Sequence, residues 1–154
     1  METYTLEKQI WTEKDFDQMG WHDARIYGFV FHPADEYRTD LIFDIDYILE
    51  WVNPMPPEEY FSFWVSPCTL KFENIYNLQI EIDQYGTNLP AIEDVELVSV
   101  ENGIYQWNIE LSEGYISFKS SGFKQFVRNQ PVLIRRQFLS REERNGVSFS
   151  EHTD

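Results

Sequence analysis

A hairpin signal in the second half of the chain constrains the fold more than any other feature. Asn102-Gly103 separates two runs of alternating apolar and polar residues in VELVSVENGIYQWNIEL. This dipeptide favours a type I′ turn, because both central residues of such a turn need a positive φ angle. Glu113-Gly114 is a weaker turn signal of the same kind, placed before YISFK. Residues 95–119 are therefore predicted to form a three-stranded antiparallel meander.

Similar short strands are predicted before the meander. They include ARIYGFVF, DLIFDIDYILEW, YFSFWV, TLKFE and NLQIEID. Twelve Phe, nine Tyr and five Trp residues also favour pleated sheets. We expect a mainly β protein, with α+β as the alternative: an antiparallel β-sandwich or a strongly curled antiparallel sheet with one short N-terminal helix. At 154 residues, the chain is expected to be a single β-rich domain over residues 1–154.

The short helix is predicted over residues 13–19. Thr12 is a suitable N-cap, and Asp15 follows it by three residues as in a capping box. Gly20 suits the left-handed residue that often ends a helix.

The tripeptide WHD follows this helix and places His22 beside Asp23. If this part of the chain is extended, the two side chains point to opposite faces and form no catalytic pair. His22 is then expected to be partly buried and hydrogen-bonded to the backbone where the helix meets the strand.

The strand DLIFDIDYILEW carries a row of carboxylates. Alternation predicts a core face made of Phe43, Ile45, Tyr47, Leu49 and Trp51. It places Asp44, Asp46 and Glu50 on the opposite face. These carboxylates could share a hard cation if other strands, or the nitrogen of His22, supplied further ligands. The alternative is that they form the charged solvent face of a half-exposed sheet.

Charge is unevenly distributed along the chain, which carries a net charge of -15. Residues 1–119 carry a net charge of -17, and residues 120–154 carry +2. The basic 124–144 segment is predicted to dock on the acidic body of its own chain. The alternatives are a contact surface for an acidic partner and self-association, in which this segment docks on a neighbour's acidic face. Residues 145–154 are expected to be a loose C-terminal tail.

The acidity also limits the class of partner. An acidic body repels a phosphate backbone, so no nucleic acid is expected as a ligand. A basic protein partner is favoured, because opposite fields speed encounter and sharpen partner choice. No apolar run approaches the roughly 20 residues that span a bilayer, and the N-terminus does not resemble a signal peptide. We therefore expect no membrane contact and a cytoplasmic location.

Three stretches together carry a resemblance to a known family. MGWHDARIYGFVF, DLIFDIDYILEW and VSPCTLKFENIYNLQIEI, in that order, resemble an uncharacterised family of small bacterial cytoplasmic proteins over residues 15–150. A looser form of the pattern is an HD pair before a strand, an acidic alternating strand, and an L-x-F strand leading to N-L-x-I. This looser form is similar to some immunity proteins of polymorphic toxin systems. The resemblance implies a β-rich fold and a toxin-binding role, and it assigns no catalytic residue. The residues that carry it are Trp21, His22, Asp23, Asp44, Asp46, Trp51, Phe72 and Asn74.

These observations predict a non-catalytic binding protein. Like an immunity protein, it would neutralise a basic protein partner. The alternative is a divalent-metal-dependent or small-molecule enzyme with an acidic site near His22, Asp44 and Asp46. Signatures of nucleophilic serine, of phosphate-binding loops and of zinc proteases are absent from the sequence. No catalytic residue, metal ligand or cofactor is assigned. The candidate binding residues are His22, Asp23, Asp44, Asp46, Glu50 and Trp51.

Overall fold

The computed structural model describes residues 2–83 and 86–153. The strands in chain order are β1 (Ile10–Thr12), β2 (Arg25–Pro33), β3 (Thr39–Val52), β4 (Ser62–Glu73), β5 (Tyr76–Ile82), β6 (Ile92–Glu101), β7 (Ile104–Leu111), β8 (Gly114–Ser120), β9 (Gly122–Val127) and β10 (Val132–Ile134). A 3₁₀ helix covers Glu13–Gln18, and a short α-helix, α1, covers Arg141–Arg144.

The strands form two antiparallel sheets. The large sheet has the order β1-β9-β4-β3-β2, and β10 also pairs with β4, beyond the end of β9. The small sheet has the order β5-β8-β7-β6. The prediction of a mainly antiparallel β fold with a short N-terminal helix is confirmed.

The two sheets pack face to face around an aromatic core. Phe72 of the large sheet contacts Phe118 and Trp107 of the small sheet, with ring centroids 4.7 and 5.6 Å apart. Phe43, Ile45 and Leu70 belong to the same buried cluster. We call the face of the large sheet that meets this core its inner face, and the opposite one its outer face.

The predicted meander is confirmed as β6-β7-β8. Asn102 and Gly103 have φ angles of 53° and 76°, as a type I′ turn requires. Strand β5 pairs with β8, so it extends the meander to four strands.

The N-terminal helix differs from the prediction in type and in how it ends. It is a 3₁₀ helix, and Thr12 and Asp15 form the predicted capping box. It ends at an extended Met19, and Gly20 has no positive φ angle. Phe16 packs on Trp21 and Trp107, which fixes the helix against the end of the core.

A tight turn over Trp21–Ala24 leads into β2 and joins the two sheets. The amide of Ala24 donates to the carbonyl of Trp21, and Asp23 has a φ of 67°. The amide of Asp23 donates to the carbonyl of Ile92, and the amide of Ile92 donates to the carbonyl of Ala24. The WHD tripeptide is therefore a corner of the sandwich. No helix within residues 2–83 and 86–153 is long and apolar enough to cross a membrane.

Candidate functional site

Two carboxylates of β3 lie under protein rather than in solvent. Asp44 and Asp46 are on the outer face of the large sheet, and both are fully buried. Asp44 accepts four hydrogen bonds, two on each oxygen. Oδ1 accepts from Arg128 and Arg144, both at 2.8 Å, and Oδ2 accepts from Arg144 at 3.0 Å and from the amide of Ser148 at 2.9 Å.

Arg144 of α1 bridges the two carboxylates. Its Nε donates to Asp46 Oδ1 at 3.2 Å, while its terminal nitrogens donate to Asp44. The other oxygen of Asp46 accepts from the hydroxyl of Tyr27 at 2.9 Å and from the amide of Leu139 at 2.8 Å. The Tyr27 ring lies 3.5 Å from the guanidinium carbon of Arg144 and covers it. We call Asp44, Asp46, Arg128 and Arg144 the sealed end of the outer face.

Burial governs proton binding at the sealed end. It raises the pKa of Asp46, against the lowering effect of the Leu139 amide and Arg144. Burial and the Asp46 charge raise the pKa of Tyr27 to about 12. Burial by itself would lower the pKa of Arg144, but the hydrogen bonds and charges of Asp44 and Asp46 raise it. Arg144 therefore stays charged and holds both carboxylates.

The C-terminal residues complete this end. Arg128 donates to the carbonyl of Ser148, and Thr69 of β4 donates to the carbonyl of Ser150 at 2.6 Å. Lys71 pairs with Glu151. Residues 148–151, expected to belong to a loose tail, thus lie against β3 and β4. Docking of the basic segment on its own chain, as predicted, is confirmed for Arg128 and Arg144.

The sealed end does not have the arrangement of a metal site. Each oxygen of Asp44 and Asp46 already accepts from an arginine, a backbone amide or Tyr27. Within residues 2–83 and 86–153, no three His, Cys, Asp or Glu side chains are grouped to hold a metal ion. The interpretation that the carboxylates of this row face solvent is wrong for Asp44 and Asp46, because the C-terminal segment covers them, but it holds for Glu50, which is exposed.

A β-bulge separates the sealed end from the rest of the outer face. Between Ile48 and Glu50, β3 advances by two residues while β4 advances by one. Such a bulge reverses the alternation that follows it. Trp51 consequently pairs with Phe63 on the outer face, with ring centroids 5.0 Å apart. The predicted place of Trp51 on the core face is wrong for this reason.

Beyond the bulge, the outer face opens into an aromatic groove of about 470 Å³. Its walls are Trp51, Tyr60, Phe61, Phe63 and Phe138, and its rim carries Arg135, Arg136 and Gln137. Phe61 meets Trp51 edge to face with centroids 5.9 Å apart. We call this groove the open end of the outer face. Its size is typical of pockets that hold ligands or parts of a partner.

His22 and Asp23 border this open end. The His22 ring stacks on Trp51 with centroids 6.1 Å apart, and Asp23 accepts from the amide group of Gln137 at 2.7 Å. The Nδ1 atom of His22 lies 2.9 Å from the carbonyl oxygen of Glu93, which is the backbone contact expected for this residue. The His22 side chain is 59% exposed, however, so it is less buried than expected.

The two side chains of the HD pair meet, contrary to the prediction. Nε2 of His22 lies 3.5 Å from Oδ2 of Asp23. The reason is the left-handed Asp23, which turns the chain where an extended strand was assumed. The backbone hydrogen bond to Glu93 raises the pKa of His22. Burial opposes this rise, and the charges of Asp23, Glu93 and Asp94 add to it.

The predicted site residues therefore divide into three groups. Asp44 and Asp46 are in the sealed end, whereas His22, Asp23 and Trp51 border the open end. Glu50 is exposed and opposite Trp64. Burial raises the pKa of Tyr4, and the charge of Glu50 raises it further. The structure does not bring His22 to Asp44 or Asp46.

The small sheet presents a second surface, on the face turned away from the core. Asp94 of β6, Glu110 of β7, Tyr115 of β8 and Glu81 of β5 are directly opposite one another across all four strands. We call these four residues the acidic row. Its three carboxylate residues are exposed.

Comparisons with known proteins identified no relative of this chain. No protein-family model matches the chain, and no curated protein or solved structure matches it either.

Sequence reasoning missed most of the groove and the acidic row. Tyr60 and Phe61 are adjacent, but Phe138 lies 77 residues further along the chain, and no pattern links it to them. The acidic row depends on strand register, and the shifts in β5 and β6 are not visible as a motif. The useful signal was the excess of aromatic residues in segments flanked by turns.

Proposed function

We propose that this chain is a non-catalytic binding protein that neutralises a basic protein partner, in the manner of an immunity protein of the cytoplasm. The acidic row is the observation that carries the proposal. Asp94 and Glu110 are directly opposite each other, and like charges in this position destabilise a sheet. The pair thus opposes folding, and a cationic surface placed over it would relieve the repulsion.

The internal ion pairs leave the acidity of the surface intact. Two of the 27 acidic side chains are buried against two of the 12 basic ones at the sealed end. The remaining side chains therefore keep the whole net charge of -15. Such a field accelerates encounter with a basic protein and disfavours acidic competitors.

Capture experiments test the proposal with a charge-matched control. Tagged wild-type protein, an Asp94→Asn/Glu110→Gln variant and a Glu7→Gln/Glu36→Gln variant would be incubated with a lysate of the source cell at low and high salt. The control removes the same charge from exposed sites outside the row. We expect one basic protein to be retained by the wild type and the control, more weakly by the row variant, and less at high salt.

Three results would overturn the proposal. They are an acidic partner, equal retention by the row and control variants, and the absence of any partner whose retention falls as the salt concentration rises. Circular dichroism of the two variants would show that both remain folded.

A further inference from the structure

The open end has an uncommon combination of features for the surface of a strongly acidic protein. Its aromatic groove lies beside the loop of residues 53–60, where Met55 and Tyr60 are 73% and 75% exposed. Trp51, Phe61 and Phe138 are also exposed. Exposed apolar side chains gathered in one place mark an interaction site more often than isolated ones do.

Charges on the rim of the groove are paired. Arg135 lies 3.0 Å from Glu58, and Arg136 lies 2.8 Å from Glu143. These four rim side chains therefore carry no net charge, although the chain as a whole carries -15. Two copies of the chain repel each other wherever their acidic surfaces meet, and that repulsion is much reduced at this patch.

We propose that the open end is the interface of a symmetric dimer, so that its occupant is a second copy of the chain. Because its arginines are paired with Glu58 and Glu143, the patch has no excess of one charge to attract a strongly basic or a strongly acidic partner. A surface that carries both signs beside each other is complementary to itself when turned about a two-fold axis. In such an interface each contact occurs twice, so Arg135 of one copy meets Glu58 of the other.

The shape of the patch fits the same occupant. The loop with the exposed Met55 lies next to the groove, so each copy offers both an exposed apolar side chain and a groove that can receive one. Exchange of the two across the axis buries aromatic side chains, which dominate interface energetics. The patch is built around a single groove of about 470 Å³, and we expect a weak dimer with a Kd of about 1–100 μM.

The dimer is independent of the proposed basic partner and differs from it in salt dependence. Salt screens the repulsion between two acidic copies, so dimerisation strengthens from about 0.05 M to about 0.5 M NaCl. Binding of a basic partner at the acidic row weakens over the same range. Failure of one proposal therefore leaves the other standing.

Sedimentation velocity of the full chain tests the interface with matched variants. Tyr60→Glu places a charge in the patch, and Tyr37→Glu makes the same change at a tyrosine that is 89% exposed in the 34–38 loop. We expect wild type and Tyr37→Glu to dimerise with similar Kd, and Tyr60→Glu to dimerise at least about tenfold more weakly. A monomer at every concentration and salt, or equal behaviour of both variants, would overturn the proposal.

A charge exchange separates contacts between copies from contacts within one copy. In a dimer of the Arg135→Glu variant, the new glutamate of one copy meets Glu58 of the other. In a dimer of the Glu58→Arg variant, the new arginine of one copy meets Arg135 of the other. Each variant should dimerise several-fold more weakly than wild type. Mixing the two restores opposite charges at both contacts of a heterodimer, so the mixture should regain association. A mixture that associates no better than its components would contradict the two-fold arrangement.

Discussion

The two ends of the outer face of the large sheet are covered in opposite ways. At the sealed end, two aspartates and two arginines are buried under the C-terminal segment. At the open end, a few residues further along β3, Trp51 is 41% exposed and has aromatic neighbours that are exposed too. On the outer face of this one strand, the charged Asp44 and Asp46 are thus buried while the aromatic Trp51 is exposed.

The difference shows what each end is optimised for. Exposed aromatics and buried charges are the two departures from ordinary surfaces that carry information. The buried charges are fully hydrogen-bonded, so they hold the C-terminal segment in one place on the sheet. The open aromatics have no such cover from the described residues, which suits contact with another molecule.

The largest effect on stability is expected from a substitution in the sealed end. Asp44→Asn keeps the shape of the side chain but removes the charge that two buried arginines share. We expect the free energy of unfolding to fall by about 3–5 kcal/mol, because an unpaired buried charge is left behind. Urea denaturation of the variant and wild type measures this.

The control for this change is Asp94→Asn. Asp94 is exposed and opposite Glu110, so its neutralisation should leave stability within about 0.5 kcal/mol, with a small gain from lost repulsion. Equal losses for the two variants would mean that burial of Asp44 has no special cost.

A smaller loss is expected when the C-terminal cover is removed but the buried ion pairs of Asp44 and Asp46 with Arg128 and Arg144 stay. Ending the chain after Gly146 deletes the Ser148 contacts with Asp44 and Arg128 and the Thr69–Ser150 bond. Water can replace these partners, so we expect a loss of about 2 kcal/mol in urea denaturation. A chain that ends after His152 keeps all three contacts and should match wild type; equal stability of both truncations would contradict the sealing role of residues 148–150.

The open end is expected to matter little for stability. Trp51→Ala removes a half-exposed ring, and we expect a loss of about 1 kcal/mol in thermal or urea unfolding. Phe63→Ala, at the neighbouring buried ring, should lose about 3 kcal/mol. If Trp51→Ala costs as much as Phe63→Ala, the groove is part of the core.

The smallest effect concerns the proton on His22. Its pKa is raised by the hydrogen bond to Glu93 and by Asp23, so the stability it adds is fully present below about pH 6.5 and is lost as the pH rises through the folded pKa. The exposed ring keeps this contribution small. We expect Asp23→Asn to lower the pKa of His22 in an NMR titration; an unchanged pKa would show that the 3.5 Å approach has no electrostatic effect.

Local signals explain what could be predicted of this fold. The meander followed from Asn102-Gly103, where the turn chemistry lies in two adjacent residues. The alternation of β3 was read correctly as far as Ile48, because period-two patterns are local. The bulge after Ile48 has no comparable signal, and it moved Trp51 to the other face.

The sealed end could be predicted only in outline. The charge imbalance between the body and the 124–144 segment suggested docking within the chain. The actual pairs are 84 and 100 residues apart in sequence, and nothing local links Asp44 to Arg128 or Arg144. An alternating sequence with Asp on one face of the strand also does not distinguish a face exposed to water from one covered by arginine side chains.

The distance in sequence between Asp44 and its last partner has a consequence during protein synthesis. The amide of Ser148 is 104 residues downstream of Asp44. At a translation rate of about 5–20 residues per second, β3 waits roughly 5–20 s before that partner exists. During this interval the nascent sheet carries two aspartates without their final cover. Completion of the fold is thus coupled to the arrival of the C-terminal segment, and a stalled chain would expose a charged strand to proteases and chaperones.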